Sequence, residues 1–165
     1  MLFAVLPVAF WLVSWGLDSL FRLPPLPINR PVTLIVTGLS WSIGLFWMLW
    51  GYSTLIYVGG GSPLEAFGVA IEPTKQLVSA GPYAYVRNPM VFGFLFVLLG
   101  VAFLVGSISG LVLVPVAGVA AAVYLRVFEE KGLVRRFGIA YEHYREHVPL
   151  LIPRATPYVP IEGEE

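Results

Sequence analysis

A chain of 165 residues has the length of one domain. Its residues are 58% hydrophobic and 12% charged, where a soluble domain carries about 25% charged residues, so it reads as a membrane protein. The formal net charge is zero and cysteine is absent, which excludes disulfides, thiolate metal sites and cysteine nucleophiles and gives no footprint for nucleic acid.

The first apolar run covers residues 2–21 and has no basic stretch before it. It continues past Ser14, Gly16 and Ser19, with Trp11 and Trp15 inside, and reads as a retained span rather than a cleaved signal. Pro24, Pro25, Pro27 and Pro31 make a stiff, extended connection to the second run, 31–58. That run exceeds the about 20 residues a helical span needs. Gly59-Gly60-Gly61-Ser62-Pro63 breaks it. A third run, 90–105, and a fourth, 111–128, are joined by the uncharged Gly106-Ser107-Ile108-Ser109-Gly110, a tight helical hairpin. Pro115 lies inside the fourth run and predicts a kink. Gly118 and Ala122, four apart, suit close helix contact or are ordinary small residues of a membrane helix.

From Lys131 the pattern changes. Leu133, Val134, Phe137, Tyr141, Tyr144 and Val148 recur every three or four residues, with Arg135, Arg136, Glu142, Arg145 and Glu146 between them. This predicts an amphipathic helix interrupted by Gly138 and lying on the membrane surface or over the bundle mouth. Pro149, Pro153, Pro157 and Pro160 end helix formation, and 161–165 reads as a disordered tail.

Lys and Arg set the expected orientation. Lys75 and Arg87 lie in the loop after the second run, and Lys131, Arg135, Arg136, Arg145 and Arg154 follow the fourth. The hairpin has none. Both termini and the 59–89 loop are therefore assigned to the cytoplasm, against the opposing weight of Arg22 and Arg30. The expected fold is an all-α, polytopic integral membrane helical bundle of about four transmembrane helices with a C-terminal amphipathic interfacial helix.

Two segments carry polar chemistry. Glu129-Glu130 stands at the C-terminal end of the fourth run, where the helix dipole is negative and adjacent carboxylates are unfavourable. Arg126 and Lys131 are nearby compensating cations; Arg87 or a ligand ammonium are the alternatives. Gly81-Pro82 makes a turn whose backbone groups can face a ligand, and Asn88-Pro89 starts the third run with proline in its first turn. Alone, Arg87 and the neighbouring tyrosines also fit a positive-inside interfacial anchor.

Together these segments resemble the isoprenylcysteine carboxyl methyltransferase and phospholipid methyltransferase superfamily of integral membrane enzymes. The pattern G-x-Y-x-x-x-R-H/N-P-x-Y-x-G is met by Gly81, Tyr83, Arg87, Asn88, Pro89 and Gly93. A hairpin follows, then Glu129, Glu130, Leu133, Phe137, Gly138, Tyr141, Tyr144, Val148 and Pro149 in the family's second spacing. The resemblance covers about 77–153.

The resemblance implies S-adenosyl-L-methionine as cofactor, bound by Gly81, Pro82, Tyr83, Asn88, Pro89, Glu129, Glu130, Tyr141 and Tyr144, with Arg87 and Glu130 as the catalytic pair. In that reading a glutamate meets the methionyl ammonium, and Arg87 meets a carboxylate of cofactor or acceptor. Tyr141 and Tyr144 cover the nucleotide or hold the surface helix down. It divides the single domain 1–165 into two spans (1–58), a cytoplasmic loop (59–89), the hairpin (90–128), a cytoplasmic cofactor-capping segment (129–153) and a tail (154–165). The implied acceptor is a lipophilic carboxylate, amine or thiol entering from the bilayer, among membrane lipids. The implied location is a multi-pass integral membrane protein, in the cytoplasmic membrane if prokaryotic, with its site on the cytoplasmic side. No metal and no covalent intermediate are called for. Asn88 stands where the family often has His, and Val91 where it often has Tyr, so a proton acceptor and a hydroxyl common in the family are absent here.

Two other functions fit parts of the chain. A sterol-reductase-like NADPH-dependent membrane reductase has a similar arginine–proline loop but an acid where Phe94 stands, and an inactive scaffold of the same fold would tolerate Val91. His143-Tyr144-Arg145-Glu146-His147 spells H-x-x-E-H, yet the chain has no further His and no Cys to complete a zinc site.

Overall fold

In the computed structural model the described residues are 2–60, 65–66, 69–70 and 76–159. Lys75, used above for orientation, and the 161–165 tail with Glu162, Glu164 and Glu165 lie outside them. The architecture is helical: α1 (Leu2–Leu20), α2 (Arg30–Tyr57), α3 (Pro89–Val105), α4 (Ile108–Tyr124), α5 (Glu130–Phe137) and α6 (Ile139–His147). A two-residue antiparallel pair, Glu65–Ala66 with Val69–Ala70, lies in the loop after α2.

The first three apolar runs become α1, α2 and α3 with ends shifted by a residue or two. The fourth does not stop near Phe128 as hydropathy suggested. The helix runs unbroken from Ile108 to Phe137. It passes through one wide π turn, Leu125–Glu129, closed by the Glu130 N–H donating to the Leu125 carbonyl. The expected amphipathic helix is thus two pieces: α5 continues α4, and α6 begins after Gly138. Gly138 has φ +55° and ψ −131°, a conformation L side chains resist.

Arg30–Tyr57 and Ile108–Phe137 are long and apolar enough to cross a membrane; Val5–Leu20 and Pro89–Val105 are shorter apolar helices. Polarity is distributed inside out. Trp15, Ile35, Leu49 and Val119 are each more than 60% exposed, while Ser14, Thr33, Thr37, Ser40, Ser107 and Ser109 are buried. Water would not favour that arrangement; a hydrocarbon surround does, because small hydroxyl residues satisfy their bonds internally and large apolar ones face outward.

The chain forms two compact units. In the first, Met1–Phe46 with Gly93–Val119, α2 lies against α3 through side chains that bond α3 carbonyls. Thr37 Oγ1 donates to Gly100 O at 3.2 Å, and Trp41 Nε1 to Val97 O at 3.2 Å. A Cβ at Gly44 would stand 2.6 Å from the Gly93 carbonyl, so glycine sets this approach. Arg30 Nη1 donates to Leu104 O at 2.6 Å, near the carbonyl end of α3. The Leu26 N–H bonds Gly106 O, and Asp18 Oδ1 accepts from the Ser109 N–H at the start of α4. Arg30 thus caps the carbonyl end of α3.

The second unit, Trp47–Phe92 with Ala120–Glu165, holds the candidate site. Its core is Tyr141, Tyr144 and Val148, with Leu77, Leu133, Val134, Phe137 and Tyr158 against them.

Candidate functional site

The glycine turn is a 3-10 turn, Gly81–Ala84, with Pro82 as its second residue. Gly81 sits at φ +59°, and a Cβ there would come within 3.0 Å of Thr54 Oγ1 and 3.4 Å of Trp50 Nε1. Two constraints therefore demand glycine: the left-handed backbone and the side chains of α2 beneath it. Pro82 and Pro89 are fully buried. Pro89 opens α3 and fits against Gly51, whose Cβ would lie 3.0 Å from the proline ring. Tyr83 reaches back so that its hydroxyl donates to Gly51 O at 3.4 Å.

The two polar segments meet at Arg87 and Glu130. Arg87 Nη1 donates to Glu130 Oε1 in an ion pair whose side chains are each 9% exposed. Arg87 Nε is buried with no hydrogen-bond partner among the described residues. Spacing along the helix had offered Arg126 or Lys131 as the compensating cation; both are exposed, and the partner of Glu130 comes from the loop before α3. Glu129, half-buried, ends the wide turn one residue earlier.

Three tyrosines surround the pair. Burial holds the Tyr83 phenol well above its ordinary range, and the Glu129 charge adds to this. Tyr141 is pushed up to about 12, first by burial and then by the Glu130 charge, with Arg87 pulling the other way. Tyr144 is raised by burial and by its tyrosine neighbours. Its hydroxyl donates to Tyr83 O at 2.7 Å, which ties α6 to the glycine turn. Raised as they are, all three stay neutral near pH 7; Tyr83 and Tyr144 donate, and Tyr141 accepts from Arg87.

The sequence-predicted residues all fall in this unit. Arg87, Glu130 and Tyr141 come together directly, and Tyr83 and Tyr144 bond each other. The Asn88 carbonyl accepts from the Phe92 N–H in the first turn of α3, and its Nδ2 lies 3.5 Å from Leu150 O. Sequence reasoning missed Trp50 and Thr54, which lie beneath Gly81, and Gly51, which lies against Pro89; no motif marked them. It took the capping segment only as far as Pro153 and missed its continuation to Tyr158. In the H-x-x-E-H stretch, His143 Nδ1 contacts Tyr158 Oη at 3.3 Å, and His147 Nδ1 contacts the His143 carbonyl at 2.8 Å. Among the described residues no group of three His, Cys, Asp or Glu is arranged to hold a metal.

Residues 32–140 match the phospholipid methyltransferase family. Methanethiol S-methyltransferase 2 of Bradyrhizobium diazoefficiens is 35% identical over 72 residues, 44% of this chain and 27% of that relative. The match thus spans little more than a quarter of the relative's length. No solved structure matches. The glycine turn, the Arg87 loop and both glutamates lie inside the matched residues, and the chain belongs to the phospholipid methyltransferase family.

Proposed function

We propose that this chain is an S-adenosyl-L-methionine-dependent methyltransferase, multi-pass in the membrane, that methylates a lipophilic acceptor reaching it from the bilayer. The observation that carries the reading is the buried Arg87–Glu130 pair with its unpartnered Arg87 Nε. A methionyl head group is zwitterionic, with an ammonium and a carboxylate on the same carbon. A buried acid and base side by side, the base with a spare donor, fit such a group. Glu130, with Glu129 beside it, would hold the ammonium; Arg87 would hold the carboxylate. The turn at Gly81–Tyr83 and the start of α3 at Asn88-Pro89 would bound the rest of the cofactor, with Tyr141 and Tyr144 above.

When bound, the cofactor supplies a methyl group on a sulfonium. The residues here orient and exclude water; the buried, raised tyrosines accept no proton near pH 7. The nucleophilic lone pair belongs to the acceptor. The outward-facing apolar surface of α1, α2 and α4 supports an acceptor arriving through lipid. The same surface, with the charges of α5 and α6, supports about four crossings and a cytoplasmic site. A small thiol is the second reading, favoured by the similarity to a methanethiol S-methyltransferase.

The test is adenosylhomocysteine binding by calorimetry on detergent-purified chain, with thermal unfolding recorded for each variant. Micromolar binding that Glu130→Gln weakens tenfold or more, about 1.4 kcal/mol, supports the reading. A folded chain that ignores adenosylhomocysteine and binds a nicotinamide dinucleotide would move the assignment to a reductase.

A further inference from the structure

The segment after α6 lies beyond the residues that match the family, which end at 140. It is not helical, and Pro149, Pro153 and Pro157 keep it stiff. It runs antiparallel along the loop that carries Arg87. The Arg87 N–H donates to Pro149 O at 2.9 Å. The Arg154 N–H donates to Tyr85 O at 3.0 Å, and the Tyr158 N–H to Ala84 O at 2.8 Å. Walking down the loop from 87 to 84 is walking up the segment from 149 to 158.

The far end of this strap is fastened twice more. Arg154 Nη1 donates to His147 O at 3.0 Å, at the end of α6. The Tyr158 ring lies 5.8 Å from Tyr144 and 5.8 Å from His147, centre to centre, and its hydroxyl contacts His143. Tyr144 in turn holds Tyr83 O. The loop's backbone groups at 83, 84, 85 and 87 are thus satisfied by α6 and the strap.

We infer that residues 148–158 are a positioning strap for the candidate site, with Tyr158 as its latch, and that the placement of Arg87 against Glu130 depends on it. A guanidinium on a loop is positioned only as well as its backbone is. Arg87 has one main-chain donor, and the strap takes it. A stiff, proline-bearing segment is suited to this because it loses little freedom when it docks. The strap meets Arg87 only through its main chain, and it meets Asn88 at Leu150 O and Tyr144 at the Tyr158 ring, so its members act on the site by holding these residues in place. The proposal rests on the methyl-transfer reading for its functional consequence and on geometry alone for its structural one.

The experiment uses the full chain in lipid nanodiscs and two readouts: adenosylhomocysteine affinity, and amide hydrogen exchange across residues 84–88. Tyr158→Ala removes the ring but keeps the main-chain donor. It is expected to speed exchange at Arg87 and to weaken adenosylhomocysteine tenfold or more. Tyr158→Phe keeps the ring and is expected to stay within about twofold of wild type, since ring packing supplies most of the latch. If Tyr158→Ala does not fold, Arg154→Pro, which deletes the donor to Tyr85 O, takes its place with the same expectation. Unchanged exchange and unchanged affinity in a folded Tyr158→Ala chain overturn the proposal. If wild type itself does not bind adenosylhomocysteine, the cofactor reading fails, and the exchange readout alone decides the strap.

Discussion

Arg87 and Glu130, forty-three positions apart in sequence, are joined in an ion pair from which water is nearly excluded. Each would be costly to bury alone, and each is made tolerable by the other. The pair therefore fixes the loop before α3 to the helix that carries Glu130.

That coupling gives the first prediction. Arg87→Met or Glu130→Leu alone strands one buried charge and should destabilise the chain by about 3–5 kcal/mol. The double variant should be more stable than either single one, while binding no adenosylhomocysteine. Thermal unfolding of the three variants in one detergent, set beside calorimetry, separates the two effects. Equal destabilisation by all three would mean the pair is not buried as described.

Tyr144→Phe tests the tie between α6 and the glycine turn. The lost hydroxyl leaves the buried Tyr83 carbonyl without the 2.7 Å bond it now accepts. The expected cost is about 1–3 kcal/mol, read as a lower unfolding midpoint. The same variant should loosen adenosylhomocysteine only modestly, because no cofactor group is removed.

Two glycines should respond differently to alanine. At Gly81 both the backbone, φ +59°, and Thr54 oppose a methyl group, whereas at Gly138 the backbone is strained but nothing lies within 4 Å. Gly138→Ala should cost the strain alone, about 1–3 kcal/mol. Gly81→Ala should cost more and should also impair ligand binding. In the first unit, Gly44→Ala drives a methyl into the Gly93 carbonyl at 2.6 Å, which backbone cannot yield easily, and about 1–3 kcal/mol is expected. Midpoints measured side by side rank the three.

Alkaline stability follows from the tyrosines. Tyr141 keeps its proton in the folded chain up to about 12 against 10.0 for an ordinary phenol, so folding favours the neutral form. The stabilisation is complete below pH 10 and is lost as pH rises toward 12. Tyr83 and Tyr144 shift in the same direction and steepen the fall. Tyr141→Phe should flatten the decline in unfolding midpoint between about pH 10 and about pH 11.5. An unchanged slope would place the phenol in water.

Much of this was legible in the sequence because the relevant signals were local. Proline and glycine bracket α1, α2 and α3, and Gly138 announces its own break. The residues that gather around Arg87 were named by a spacing pattern. Other features had no local signal. Hydropathy falls at Glu129, which looks like the end of a helix, but the main-chain bonds continue because α5 has a solvated face that water accepts. The partner of Glu130 could not be chosen by helical spacing, since burial decides it and Arg126 is exposed. The strap has no periodicity at all: its bonds to the loop at 84, 85 and 87 are main-chain to main-chain, and those leave no residue signature.

The wide turn at Leu125–Glu129 has one further implication. Such a turn is an α-helix that has absorbed an extra residue while its two flanks keep their phase. The count of residues between the hairpin and the double glutamate is therefore elastic by one, whereas the count from Glu130 to Phe137 is fixed by an unbroken helix. A relative one residue shorter before its glutamates can still bring a carboxylate to the same arginine. A pattern search that insists on a constant interval there will pass over true kin, and one that tolerates a single gap at that place will find them.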